Sequence, residues 1–311
     1  MRPSSLRDSG VIAVCPRHIT GGFLEIKAYA KINLFLDVVG KRIDGYHDIS
    51  SIMQTVDLHD TLKFCKTEGK TGFWFRTDCK EVPNDERNLV ARAARLMIKE
   101  YRIKESFEIS LTKRIPVGAG LAGGSSDCAA TILGINRLLN LNIPADELQN
   151  IAVSLGADVP FCLEKGTCLA TGIGEKLTPL APHPACFIVL AFPGIHVSTK
   201  HIFSKLSNLA QKPNNTKLEK ILSSLNNNEL TGVALSLYNV FTDLTSGEFP
   251  VVKKLIGKFV ASGAIGACMT GTGSAVFGYF AQEMAAKKAM DSLSEDAKTY
   301  LVKPIGKELI S

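Results

Sequence analysis

No stretch of this chain approaches the ~20 uninterrupted apolar residues that cross a bilayer as a helix, so a membrane-spanning reading is set aside. No C-x-x-C pair occurs among the eight cysteines, and several of them, such as Cys186 before Phe187-Ile188-Val189-Leu190, lie in apolar runs. That pattern excludes a disulfide framework and the common zinc motifs. It describes small buried residues in a reducing compartment, and the cytoplasm is the expected location. Aromatic residues are sparse at 7% and do not interleave with the basic ones. The net charge of +6 includes +2 from the first 24 residues (Arg2, Arg7 and Arg17 against Asp8), and the remainder is spread along the chain. A nucleic-acid binder shows a concentrated basic stripe, so no nucleic-acid partner is expected. No repeat of fixed period is present. What remains, 311 residues at 45% hydrophobic and 21% charged, buries a sizeable core as one large domain or two ordinary ones.

The chain is organised around Arg114-Ile115-Pro116-Val117-Gly118-Ala119-Gly120-Leu121-Ala122-Gly123-Gly124-Ser125-Ser126-Asp127. Four glycines in seven residues pack no core, but they let backbone N–H groups approach a ligand with no Cβ in the way. An alternating strand over 107–112 feeds the loop. A helix leaves it with Ala129, Ile132, Leu133, Asn136 and Leu139 near one face, and Ser125, Ser126 and Asp127 are helix-starting residues. Free N–H groups and the positive end of a helix dipole then point the same way, which reads as a phosphate cradle; a flexible surface loop is the bland alternative. Two further absences narrow the chemistry. Gly124 stands where a P-loop has its lysine, and no acid closes a second strand some 20 residues on, where Leu141-Asn142-Ile143-Pro144 enters a helix.

Residues 1–22 carry Pro, Ser, Arg and Gly without periodicity and are expected to be a non-native or disordered extension. Alternation over 24–39 predicts a strand that places Lys31 and Asn33 on the face opposite its apolar set; a solvated face and a partner-seeking pair are equally open there. Asp44-Gly45 marks a turn followed by Tyr46-His47, a pair suited to stacking on and hydrogen-bonding a base. Strands are predicted at 52–58, 61–66 and 73–77, then a helix burying Leu89, Ala93, Leu96 and Met97. A helix opening at Pro144 and stopping at Gly156 follows. Asp158 lies just beyond it among apolar neighbours, where the dipole disfavours an acid, so it calls for a cation or a task. The second half, from 182, reads as a buried strand over 186–192, loops around a helix in the polar stretch 204–228, and a helix over 249–262. A second glycine cluster (Gly263, Gly266, Gly271, Gly273), a strand over 275–280 and a helix over 283–293 close the chain.

The loop resembles the central P-x-x-x-G-L-x-S/G-S-S motif of the GHMP small-molecule kinases, the family of galactokinase, homoserine kinase and mevalonate kinase. Ala30-Lys31-Ile32-Asn33-Leu34 with Arg42-Ile43-Asp44-Gly45-Tyr46-His47 extends the resemblance, as do Asn88-Leu89-Val90-Ala91-Arg92-Ala93-Ala94, Leu155-Gly156-Ala157-Asp158-Val159-Pro160 and Met269-Thr270-Gly271-Thr272-Gly273-Ser274. The resemblance implies an α+β fold of two domains, residues 23–181 for ATP and catalysis and residues 182–311 ferredoxin-like and substrate-binding, with a cleft between them. It implies Lys31 and Asp158 as the catalytic pair. ATP would lie on Asn88, Lys113, Pro116, Val117, Gly118, Ala119, Gly120, Leu121, Ala122, Gly123, Gly124, Ser125 and Ser126, with Mg²⁺ carried by its phosphates. Asn33, Tyr46, His47, Thr199 and Phe203 would hold the substrate. Within the family the signature is most similar to that of members acting on the C2 hydroxyl of a cytidine-diphosphate-linked methylerythritol. The oligomeric state is left open. Ala119 and Ala122 replace glycines of some members, so left-handed backbone is not expected at either.

Overall fold

The computed structural model describes residues 19–69, 71–83, 85–206 and 213–309. Its first half is built on two long strands, β1 (Ile19–Lys41) and β2 (His47–Thr67), paired antiparallel through the Asp44-Gly45 turn. The two strands expected at 52–58 and 61–66 are one, because β2 keeps its pairing through His59 and Asp60. β1 begins at Ile19, so residues 19–22 of the expected extension belong to the sheet, while residues 1–18 lie outside the described residues. β3 (Gly72–Thr77), α1 (Leu89–Glu100) and β4 (Ser106–Thr112) follow, then α2 (Gly123–Leu138), α3 (Ala145–Leu155), α4 (Val159–Glu164), β5 (Thr167–Thr171) and β6 (Lys176–Pro179). The second half runs β7 (Phe187–Phe192), α5 (Thr199–Leu206), α6 (Asn215–Asn226), α7 (Leu230–Leu235), β8 (Tyr238–Asn239), α8 (Thr242–Glu248), α9 (Pro250–Ala261), β9 (Gly266–Met269), β10 (Val276–Phe280), α10 (Glu283–Leu293) and β11 (Lys298–Val302).

The first sheet has the order β3-β4-β2-β1-β8, with β5 on β2 and β6 on β5; the second is antiparallel, β11-β7-β10-β9. Helices α1 to α4 cover one face of the first sheet, where Phe64, Phe107, Ile109, Ala93 and Ile132 are buried together. α9 and α10 cover the outer face of the second around Phe259, Phe280 and Ala289. Between the sheets, Ile32 and Leu34 of β1 meet Ile188, Leu190, Phe277 and Tyr279, so the two halves share one apolar layer. β8 goes further: it is a second-half strand paired parallel to Phe35–Leu36 of β1.

The helix expected among loops in the polar stretch 204–228 is α6, and the end of α5 also falls in that stretch. α5 reaches Leu206 and α6 buries Ile221 and Leu225, while residues 207–212 lie outside the described residues. Asn214 caps α6 by accepting from the Lys217 N–H, and its own N–H donates to Asp37 of β1 at 2.7 Å.

Candidate active site

A cleft of about 480 Å³ runs between the halves, within the range of small-ligand pockets. Its lining includes the apolar side chains of Val82, Pro83, Leu89 and Leu111, then Lys31, Asp158, Thr199 and Phe203, and the glycine loop from Pro116 to Ser125. The loop is held by its neighbours rather than by its own contacts. The Lys31 N–H donates to the Leu121 carbonyl, and the Ala275 N–H donates to the Ala119 carbonyl. Gly120 is left-handed (φ +80°), and a Cβ there would lie 2.4 Å from the Thr270 carbonyl oxygen. Gly271 faces it so closely that its own Cβ would stand 3.0 Å from the Gly120 Cα. Gly120 of the first glycine cluster thus meets the Thr270–Gly273 end of the second in one backbone contact.

The loop opens α2 at Gly123, and no side chain caps that helix. The first-turn N–H groups of an α-helix have no intrahelical partner, so this end presents donors and positive dipole to the cleft. The N-cap is Ala122, and its backbone is left-handed (φ 56°, ψ 28°), contrary to expectation. A single alanine tolerates that region at ~1–2 kcal/mol, a cost offset here by the interactions that hold the loop on both sides.

Lys31 and Asn33 are not on a solvated face. Both are buried, and the Lys31 ammonium donates to Asn33 Oδ1 at 2.7 Å. The same Oδ1 accepts from the Gly271 N–H (2.9 Å) and the Thr270 hydroxyl (3.2 Å), while Asn33 Nδ2 donates to Ser51 Oγ at 2.8 Å. The Asn33 amide therefore lines the cleft with its polar atoms committed within the protein. Lys31 Nζ stands 3.9 Å from Asp158 Oδ2, the lysine side chain 5% exposed and the aspartate 35%. Asp158 is the N-cap of α4, beyond the extended Gly156 that ends α3. Its backbone thus lies at a positive dipole end, not only at the negative one that the sequence suggested.

Lys113 lines the cleft, but its ammonium is not free for a nucleotide. It ion-pairs with Asp60 and, at 2.8 Å, with Asp127, all three side chains being nearly inaccessible. Asn88 is the N-cap of α1, accepting from the N–H groups of Val90 and Ala91 and donating to the Pro83 carbonyl. Ser126 spends its hydroxyl on the Tyr29 carbonyl at 2.7 Å and is not part of the cleft wall, unlike Pro116 to Ser125. Beside the cleft, which Phe203 lines, His47 packs against Phe203 with ring centroids 5.5 Å apart, and Phe203 against Phe241 at 4.6 Å. His47 Nε2 is buried without a partner. Tyr46 stands exposed on the hairpin tip, and the Thr199 hydroxyl meets that of Thr272 at 3.2 Å. Asp60, Asp127, Thr270 and Thr272 were not singled out as site residues from sequence; a charged residue inside the apolar run of β2 was the one available signal for Asp60.

An uncapped helix start in a glycine loop, beside a lysine–aspartate pair in the same cleft, is the layout of a small-molecule phosphotransferase. The GHMP kinases N terminal domain matches residues 88–166 and the GHMP kinases C terminal domain matches residues 203–299; the chain belongs to the GHMP kinase family and is a small-molecule kinase. The chain is 40% identical over 267 residues to a 4-diphosphocytidyl-2-C-methyl-D-erythritol kinase of Clostridium novyi, covering 85% of this chain and 94% of that one. With the enzyme of the same name from Caldicellulosiruptor saccharolyticus it shares 41% over 270 residues, 86% of this chain and 92% of the other. A crystal structure of 4-(cytidine 5'-diphospho)-2C-methyl-D-erythritol kinase superimposes with a TM-score of 0.77 at 32% identity, covering 91% of this chain and all of that one. Mevalonate kinase of L. major with R-mevalonate has a TM-score of 0.74 over 93% and 97% of the two chains; at 16% identity it shows the shared fold alone. Among the described residues no helix is long and apolar enough to cross a membrane.

Proposed function

We propose that the chain transfers the γ-phosphoryl group of ATP to the C2 hydroxyl of 4-diphosphocytidyl-2-C-methyl-D-erythritol, releasing ADP and the 2-phosphate in the non-mevalonate isoprenoid pathway. The observation that carries the chemistry is the Lys31–Asp158 pair, 3.9 Å apart in the cleft that the glycine loop also lines. The observation that carries the choice of acceptor is the likeness to kinases of that name, supported by the His47–Phe203 pair and its unpartnered Nε2.

In this reading the ATP phosphates lie on the N–H groups of Gly118 to Ser125, and the apolar lining of Val82, Pro83 and Leu111 takes the base. Phosphoryl transfer with a loose transition state asks the protein for positioning and charge neutralisation more than for proton abstraction. Asp158 orients the acceptor hydroxyl and takes its proton late. Lys31, aimed by Asn33, neutralises charge on the group in flight. Asn88 and Lys113 act by shaping the nucleotide end, since their polar atoms are committed to the chain. Mg²⁺ carried by the ATP phosphates would add charge neutralisation; the Ser126 hydroxyl and the Asp127 carboxylate are turned to Tyr29 and Lys113. His47 and Phe203 hold the cytosine, Tyr46 closes over it from the hairpin tip, and Thr199 meets the diphosphate side. Residues 23–181 supply the nucleotide wall together with Tyr46 and His47, and residues 182–311 supply the rest of the substrate wall.

ADP release is measured with the cytidyl-diphosphate alcohol, homoserine and mevalonate offered separately with MgATP. Turnover with the first alone is expected. Turnover with either of the others instead would overturn the acceptor assignment, and no ADP with any would overturn the kinase chemistry on this acceptor class.

A further inference from the structure

Directly beneath the loop lies a sealed cluster with unbalanced charge. Asp60 of β2 and Asp127 of α2 share the single ammonium of Lys113, and none of the three side chains is more than 6% exposed. The two carboxylates are not equivalent. Asp60 accepts from Lys113 and from the backbone N–H groups of Arg114 and Ile115, so it ties the loop entrance to the sheet. Asp127 accepts from Lys113 alone through Oδ2, and its Oδ1 is buried with no partner. Asp127 also lines the cleft, one turn into α2, about 6 Å along the axis from Gly123. A polyphosphate seated on that helix start brings further negative charge to a site already one negative charge in excess. The oxygen best placed to answer it with a proton is the one that no donor occupies.

We propose that the Asp60–Lys113–Asp127 cluster is a proton-accepting support of the phosphate cradle, and that nucleotide binding is coupled to uptake of one proton at Asp127. The inference rests on the reading of the glycine loop as the ATP phosphate site. Asp127 is here a positioning residue, acting through the loop that it underlies. Burial, opposed by Lys113 and reinforced by Asp60, already raises its carboxyl to about 7, so the proton is available near neutrality. Around Asp127 stand Lys113 at the exit of β4, Asp60 on β2, Cys128 on its own helix and Cys162 on α4, with Arg92 of α1 beside Cys128. Burial keeps both thiols protonated well above the neutral range, and Lys113 stays charged between its two carboxylates. The sign follows: an approaching anion raises the Asp127 pKa further, so binding takes up protons and is tighter at low pH. If the displacement is one pKa unit, affinity falls about sixfold between pH 6.5 and pH 8.5, and uptake peaks near half a proton between the free and bound values.

The test is isothermal titration of the full-length protein with ADP and Mg²⁺ in buffers of differing ionisation enthalpy from pH 6 to 9, with the nucleotide's own proton release measured separately and subtracted. The wild type is expected to take up about half a proton near pH 7.5 and almost none at pH 6 or 9. Asp127→Asn, which presents the neutral form permanently, is expected to show no uptake and a dissociation constant that is flat with pH and stays tight at pH 8.5. Equal uptake in both proteins overturns the coupling, as does a wild-type affinity that does not change across the range. Should Asp127→Asn fail to fold, the wild-type pH series decides alone, because the peak or its absence needs no variant. Failure of ADP to bind the wild type at any pH overturns the cradle reading itself, and is distinguishable from binding without proton uptake.

Discussion

Replacing Asn33 by alanine removes the one amide that joins Lys31, the second glycine cluster and β2. Oδ1 accepts three bonds, from the Lys31 ammonium, the Thr270 hydroxyl and the Gly271 N–H, and Nδ2 donates one to Ser51. The residue is 1% exposed, so water does not replace them without rearrangement. A buried donor left without its acceptor costs ~1–3 kcal/mol, more if charged, and such losses in one network are not additive. A total of about 3–5 kcal/mol is expected, which at ~2 °C per kcal/mol for a large chain lowers the melting temperature by about 6–10 °C. The functional effect is separate. Lys31 loses the contact that aims it, and misplacement of a charged group by an ångström costs on the order of a hundredfold in turnover. Thermal unfolding and steady-state kinetics on the same preparation read both. Asn33→Asp, which keeps an acceptor for Lys31 and Gly271 but loses the donor to Ser51, should recover turnover better than Asn33→Ala. Wild-type turnover in the alanine variant, at a temperature where it is folded, would refute the assignment of Asn33 to Lys31.

Asp158→Asn should lose at least a hundredfold in kcat while the KM for ATP changes less than threefold, by initial rates; comparable loss in both would place Asp158 in binding. Phe203→Ala removes a face of the proposed base site, and stacking worth ~1–3 kcal/mol predicts a 5- to 150-fold rise in KM for the cytidyl substrate with that for ATP unmoved. Gly120→Ala forces a Cβ to within 2.4 Å of the Thr270 carbonyl oxygen at a left-handed position. It should weaken ADP binding by calorimetry, whereas Gly124→Ala, whose Cβ has its nearest neighbour at 3.8 Å, should be mild. His183 donates from Nδ1 to the Pro184 carbonyl and accepts at Nε2 from Tyr279, and burial depresses its pKa from 6.5 to about 4. The unfolded chain then binds a proton that the folded one refuses, so stability is complete above pH 6.5 and declines as pH falls toward 4. Melting curves across that window should show the decline in the wild type and less of it in His183→Gln.

Elements with a strong local period were legible in the sequence. Alternation put Lys31 and Asn33 on one face of β1, and the glycine loop announced the start of α2. The rest depended on contacts that no local pattern encodes. Whether Lys31 and Asn33 met solvent or each other was decided by Thr270 and Gly271, over 230 residues further on. Lys113 read as a nucleotide contact because Asp60, 53 residues earlier, gives no sign of pointing at it. β8 is two residues long, too short for any period, yet it joins the halves. Ala122 is left-handed because its neighbours hold it so, which overrides the preference of the residue itself.

The contact between Gly120 and the Thr270–Gly273 turn also sets an order of events during synthesis. Some 150 residues separate the two sides. At ~5–20 residues per second, the loop leaves the ribosome on the order of ten seconds before its supporting turn exists. Over that interval the nascent chain has a sheet, helices and the bare glycines, but nothing that holds Gly120 in place or gives Lys31 its bearing. The fixed form of the glycine loop is thus among the last features the growing chain acquires, and it arrives together with the opposite wall of the cleft.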